Sequence, residues 1–429
     1  MEKFDVIIVG AGLAGLSAGY TLAKAGVEVL ILERGDYPGA KNVTGGRIYL
    51  NPVRQFFPEN FWDKAPLERP VTTEIITMVS ENSSTSMRFR AQDFAQPPYQ
   101  SYTIQRSKFD RWFGQQATNA GAMLVNKSRV DDLIWDNGRV AGVIAGGEEL
   151  GANVVLACDG ALSLVAEKAG LRQPGRAKDF AVGFKEVIEL PEKTIEDRFG
   201  LGSGEGAAQL FMGTFTKGRF GGGFAYTNKT SLSLGMVVGI RDLMETEPAI
   251  NAAALLEEFK QQPDVAALIA GGELIEYSAH VLPEAGYNGM SPCFGNGVLV
   301  AGDAAGLALN MGLLVRGMEF AIGSGVLAAQ TIQAALEQKN FSANALSAYK
   351  QRMEQSFVLQ DLKTFQAAPH VLDNPRLFGY YPELVGKLMQ DLFTVCSGPK
   401  PSFVRTVRNH LGVSDLPGIL KDAWGGRKL

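Results

Sequence analysis

The run Phe4-Asp5-Val6-Ile7-Ile8-Val9-Gly10-Ala11-Gly12-Leu13-Ala14-Gly15 decides the fold. Its first half is short and β-branched, the composition of a strand buried on both faces, and the glycines begin where that strand should end. A helical pattern follows through Leu16, Tyr20, Leu22 and Ala23, and Val27 to Leu32 reads as a second strand closed by Glu33. Strand, turn, helix and strand in this order make a mononucleotide-binding unit. The first glycine allows the tight turn, the second lets the backbone approach a pyrophosphate, and the third lets the helix pack on the strand. The helix N-terminus adds unpaired N–H groups and a positive dipole end. Glu33, eighteen residues past Gly15, stands where a carboxylate meets ribose hydroxyls. Its charge disfavours a 2′-phosphate, so FAD or NAD is expected rather than NADP.

The eighteen residues between Asp5 and Lys24 are uncharged, long enough to raise a membrane helix, but four glycines interrupt them and the nucleotide unit explains them better. Composition narrows the rest. The chain has 429 residues, room for two or three domains, and its 46% hydrophobic and 20% charged content exclude disorder. A net charge of −4 removes any global drive toward nucleic acid. Cys158, Cys293 and Cys396 are too few and too scattered for a disulfide framework or a four-cysteine cluster, and a reducing, cytoplasmic setting is expected. No second GxGxxG follows a strand, and no CxxC pair is present, which argues against an in-chain nicotinamide domain or a redox disulfide.

Two later strands end in a carboxylate. Val154 to Ala157 leads into Cys158-Asp159-Gly160, and Val298 to Ala301 into Gly302-Asp303-Ala304-Ala305-Gly306. Parallel sheets place ligands at the carboxyl ends of their strands. Asp303 is expected to accept a hydrogen bond from a ribityl hydroxyl; Asp159 is a candidate cofactor contact too, though Asp-Gly taken alone reads more readily as a turn. Beyond them, Gly317 to Ala329 reads as a helix whose N-terminal dipole would favour an anionic reduced flavin.

These motifs, with the run Gly39-Ala40-Lys41-Asn42-Val43-Thr44-Gly45-Gly46-Arg47, the segment Arg106-Ser107-Lys108-Phe109-Asp110, the phrase Glu276 to Glu284 and Leu372-Asp373-Asn374-Pro375-Arg376, resemble the glutathione-reductase-like FAD superfamily. More narrowly, the chain resembles FixC-type flavoproteins of the electron-transfer-flavoprotein:quinone oxidoreductase family along essentially its whole length. The resemblance implies an FAD that takes electrons from an electron-transfer flavoprotein α/β heterodimer and passes them toward a membrane quinone. It places Gly10, Gly12, Leu13, Ala14 and Gly15 at the pyrophosphate and Glu33 and Arg34 at the adenosine. Gly45, Gly46 and Arg47 would approach the flavin or pyrophosphate, Arg106 the pyrophosphate side, and Gly302 and Asp303 the ribityl chain. Arg47 and Arg106 read alternatively as structural ion-pair residues. Mitochondrial-type relatives carry a four-cysteine iron–sulfur domain that three scattered cysteines cannot supply, so a ferredoxin-like partner is implied. In such assemblies electrons are in some cases split between quinone and a low-potential ferredoxin. A geranylgeranyl-reductase-like or aromatic-hydroxylase-like enzyme is the alternative on the same fold.

The expected architecture is α/β: a Rossmann-like FAD domain of glutathione-reductase type from residues 1–47, 101–170 and 286–340, a mixed-sheet cap from 48–100 and 171–285, and a helical region over 341–429. Period-two stretches at Phe180 to Glu189 and Ser231 to Val238 read as cap strands, and Ala252 to Gln261 as a helix burying Leu255, Leu256 and Phe259. From Leu377 to Phe393 an apolar stripe reads as core or as a membrane- or quinone-facing surface, which would place the protein peripherally on the inner face of the cytoplasmic membrane. His280, His370 and His410 have no metal spacing, and no residue is assigned a catalytic acid, base or nucleophile role.

Overall fold

The computed structural model describes residues 2–41, 46–412 and 415–427. Its first sheet is built around parallel strands in the order Val298–Val300, Glu148–Ala157, Glu2–Val9, Val29–Leu32 and Met123–Val125. Val6, Ile7 and Ile8 are wholly buried, as the two-faced apolar run predicts. Helix Leu13–Lys24 covers one face and packs on the long helix Met318–Glu337. That contact is close because Gly325 has no side chain: a Cβ there would lie 2.2 Å from the Ala14 carbonyl oxygen. Ser17 Oγ donates to the Ile322 carbonyl across the same seam.

The parallel register has one consequence for the site. Val9, Leu32, Ala157 and Val300 all end at the same edge, and hydrogen bonds continue past them, from Gly10 N to Leu32 O, Cys158 N to Val9 O and Ala301 N to Ala157 O. Residues from three distant chain segments therefore meet along one line. An antiparallel hairpin, Val130–Asp136 and Arg139–Ala145, extends the outer side of strand Glu148–Ala157.

The second sheet is mixed and has nine strands. Its order runs Glu273–Pro283, Phe180–Glu189, Ser231–Gly239, Gly221–Thr227, Gly206–Gly213, Leu67–Val79, Tyr102–Ile104 and Arg47–Ile48, with Ser84–Arg90 paired to Leu67–Val79. Gly206–Gly213 and Leu67–Val79 are parallel and the other pairs antiparallel. Helix Ala252–Lys260, capped by Asn251 accepting from Ala254 N, buries Leu255, Leu256 and Phe259 against one face with Phe184, Phe211 and Phe215. The period-two pattern of Phe180–Glu189 is not matched by half-burial, because both faces are covered. Even Lys185 and Glu186 lie inside; Glu186 pairs with Lys260 of the cap helix, while burial lowers the Lys185 ammonium to about 8.

Past residue 342 most of the described residues are helical. Its first helices bury Leu346, Tyr349, Met353, Val358 and Leu362 beside the long helix. The later ones are different. In Tyr380–Phe393 only Pro382 and Gly386 are buried, most of the apolar stripe is half-buried, and Phe393 is 83% exposed.

Candidate functional site

Between the shared strand edge and the second sheet runs a cavity of about 880 Å³. At one end stand Gly10, Gly12, Leu13 and Ala14 of the glycine turn. Gly10 holds φ +102°, and a Cβ on it would sit 2.4 Å from the Cys158 carbonyl oxygen, so only glycine fits. Gly15 does not line the cavity; its missing Cβ would fall 2.0 Å from Gly10 O, which is the close helix–strand packing asked of a third glycine.

Glu33 closes the next strand and is buried. Its Oε2 accepts from Ala11 N at 2.8 Å and its Oε1 from Gly35 N at 2.6 Å, which fixes the carboxylate on the cavity wall. Each oxygen retains a lone pair for a ribose hydroxyl. Arg34 follows it on the wall, and Arg129 joins them because Ser128 N donates to the Glu33 carbonyl. Arg106 also lines the cavity, with Nε and one Nη bound to Asp110 one helical turn on. Burial, helped by the charges of Arg106 and Arg34, holds His280 down at about 4, so the imidazole on this wall is neutral.

Gly302 (φ +67°) and Asp303 occupy the third strand end. Burial pushes the Asp303 carboxyl up to about 6, against the pull of Arg106. Among the described residues it has no hydrogen-bond partner, so it offers an acceptor to whatever fills the cavity. Asp159 is on the wall too, but Oδ1 accepts from Ser163 Oγ and Oδ2 from Val165 N. It holds its own loop, as the turn reading expects. Gly46 is on the wall against the Tyr226 ring, and Gly45 lies outside the described residues. Arg47 borders the cavity, yet its guanidinium is clamped by both Glu74 carboxylate oxygens and by Ser101 Oγ and lies over Tyr49. Its geometry supports the ion-pair alternative rather than a phosphate contact, because the fork has no donor pair left to present.

The residues fit a flavin dinucleotide. A glycine cradle, a carboxylate at the adenosine end, cations beside them and a half-buried carboxyl without a side-chain hydrogen bond further along suit the ribose, pyrophosphate and ribityl groups in turn. At the far end the cavity is closed by the short hairpin Leu309–Asn310 and Val315–Arg316 and by the N-terminus of helix Met318–Glu337, through Gly317 and Met318. There the walls turn apolar: Leu210, Met212 and Phe224 come from the second sheet, Phe220 from just before strand Gly221–Thr227, and Leu372 and Phe378 from the C-terminal region. Sequence reasoning named the helix N-terminus and the stripe that holds Phe378 but missed the short hairpin and the cap-sheet side chains of this end. Its signal is alternation in the cap strands, which gives a face but not what the face meets.

Fold and cavity define an FAD-dependent oxidoreductase: an FAD-binding domain model matches residues 3–198. The chain belongs to the FixC and electron-transfer-flavoprotein:quinone oxidoreductase (ETF-QO) family. It is 47% identical over 426 residues to Protein FixC of Escherichia coli strain K12, covering 99% of this chain and 98% of that protein. It is 42% identical over 425 residues to the probable electron transfer flavoprotein-quinone oxidoreductase YdiS of the same strain, with the same coverage. Two further models match, ETF-QO ubiquinone-binding at residues 180–282 and the ETF-QO/FixC family C-terminal domain at 368–429. In fold it is similar to a geranylgeranyl bacteriochlorophyll reductase-like protein from Thermoplasma acidophilum, with TM-score 0.73, 19% identity, and 98% and 99% of the two chains covered.

Proposed function

We propose that this protein takes electrons from an electron-transfer flavoprotein and delivers them to a membrane quinone, within an assembly of Fix type. FAD stores the electrons between donor and acceptor. The chain's own residues do the rest. The glycine turn, Glu33 and Asp303 hold the cofactor along the strand edge, the cap sheet keeps water from its reactive end, and the dipole of helix Met318–Glu337 favours negative charge there.

The observation that carries this reading is the course of the cavity. It runs from the glycine turn to an apolar end between the cap sheet and the C-terminal helices, where it reaches Asp422 and Gly426. The same helices present Phe393, Phe403, Val404, Leu420 and Trp424 to the outside, with Arg405 and Arg408 beside Phe403 and Val404 on helix Phe403–His410. Apolar side chains beside basic ones suit an anionic bilayer surface, the place where a water-insoluble quinone must be met. Among the described residues no helix is long and apolar enough to cross a membrane, so the contact proposed is peripheral. An iron–sulfur relay, if the assembly uses one, belongs to a ferredoxin-like partner. Cys158 and Cys293 are buried apart from the exposed Cys396, and no group of metal-ligating side chains occurs among the described residues.

The test is anaerobic mixing of the FAD-loaded protein with reduced electron-transfer flavoprotein, then with a short-chain quinone, following flavin absorbance. Bleaching and then reoxidation is the expected course. No bleaching by the donor, with rapid bleaching by NADPH, would sink the proposal in favour of a reductase or hydroxylase on the same fold.

A further inference from the structure

Glu284 stands just past the strand Glu273–Pro283, at the cavity wall, where that strand's end meets the hairpin that carries Asn310. It is half-buried, and its one side-chain hydrogen bond is accepted from Asn310 Nδ2 at 3.3 Å. Its backbone N–H donates to the Asp179 carbonyl, so the position is fixed from two sides. Of the charged groups on the elements around it, Lys178 and Glu273 are exposed, Glu276 acts on Lys185, and the others are matched. Asp179 pairs with Arg176, Arg316 with Glu319 and Asp361, and Arg241 with Asp242 and Asp373, while His280 on its own strand is neutral and His370 on the neighbouring helix is exposed. A carboxyl without a cationic partner, on the wall of a cavity that holds electron-transfer chemistry, is not explained by stability. Burial pushes it up to about 7, with the Asn310 amide pulling the other way, so near neutral pH it both holds and releases a proton.

We propose that Glu284 is the proton donor to the electron acceptor bound at the apolar end of the cavity. The inference rests on the quinone-reducing reading above. Converting a quinone to its quinol takes two electrons and two protons. Both electrons and one proton are accounted for by reoxidation of the anionic reduced cofactor, and the second proton has to come from the protein. The Glu284 O–H bond breaks, an O–H bond forms on the quinone oxygen, and the carboxylate left behind takes a proton from water. Asn310 is the positioning residue, since its amide donates to the carboxylate.

The test compares wild type, Glu284→Gln and Glu284→Asp, each loaded with FAD and reduced, in rapid-mixing reoxidation by a short-chain quinone and by ferricyanide. Ferricyanide accepts electrons without protons. The wild-type quinone rate is expected to fall as pH rises through about 7, Glu284→Gln to lower it about a hundredfold and flatten that dependence, and Glu284→Asp to keep a pH limb, with ferricyanide rates alike in all three. Infrared difference spectra taken across the same pH range, independent of turnover, should show in the wild type a protonated-carboxyl band that titrates near 7, beside the lower-titrating band of Asp303, and Glu284→Gln should lack it. A Gln variant with the wild-type quinone rate and pH profile, or one that retains the infrared band, overturns the assignment. A wild type that reduces ferricyanide but no quinone overturns the proposed electron route instead, and the proton role falls with it.

Discussion

Asp303 shows how much a single residue can carry. Its place was readable because it depends on local order alone: an apolar strand, a glycine with positive φ, then a carboxylate at the edge. Its electrostatics were not, since they come from burial and from Arg106 in another segment. Asp303→Asn should weaken FAD retention by roughly tenfold or more, the cost of a hydrogen bond to a charged group, measured by fluorescence titration of the apoprotein. The same variant has a second signature. A carboxyl raised from its ordinary value to about 6 is tolerated while protonated and penalised once charged, so its stability contribution is present at low pH and lost as pH rises through about 6. The cofactor-free Asn variant should therefore unfold at a higher temperature than wild type at about pH 8, by up to ~3 kcal/mol of stability, and at the same temperature near pH 4. Equal melting at both pH values would refute the assigned shift. Arg47 marks the opposite case. A guanidinium after two glycines reads as a phosphate ligand, and only the strand pairing that brings Glu74 beside it reveals an ion pair.

Among elements, the seam between helices Leu13–Lys24 and Met318–Glu337 sets the angle at which the glycine turn meets the cavity. The helices themselves follow from their apolar periodicity, but the role of Gly325 does not, because a glycine within a small-residue run is indistinguishable from its neighbours until the partner helix is known. Gly325→Val should cost about 1–3 kcal/mol through overpacking and also loosen FAD, since the atom it displaces belongs to Ala14 on the cavity wall. A thermal shift without any loss of cofactor affinity would separate the seam from the site. The cap strands teach the converse. Their alternation located them, yet Phe180–Glu189 is covered on both sides, and of the two charged residues inside, Glu186 pairs with Lys260 and Lys185 feels the charge of Glu276.

At the scale of the molecule, the apolar stripe near the C-terminus was legible as a pattern and ambiguous as a surface. Its residues divide between Phe378 on the cavity wall and Phe393 in the open, so neither core nor bilayer contact accounts for all of it. Trp424→Glu combined with Phe403→Glu should reduce cosedimentation with anionic vesicles several-fold while leaving ferricyanide reduction intact. Unchanged vesicle binding would count against the proposed membrane face.

The parallel strand edge also imposes an order in time. Gly10 is made early and Gly302 late, in the last third of the chain, yet both must reach one strand edge, on either side of strand Glu148–Ala157, before the cofactor has a complete seat. A polypeptide still on the ribosome can form the first turn and helix but not the wall that closes over them, so FAD loading belongs after synthesis. Until then the nascent chain carries the glycine turn bare, and cells starved of flavin should accumulate the full-length protein in a protease-sensitive form rather than stall its translation.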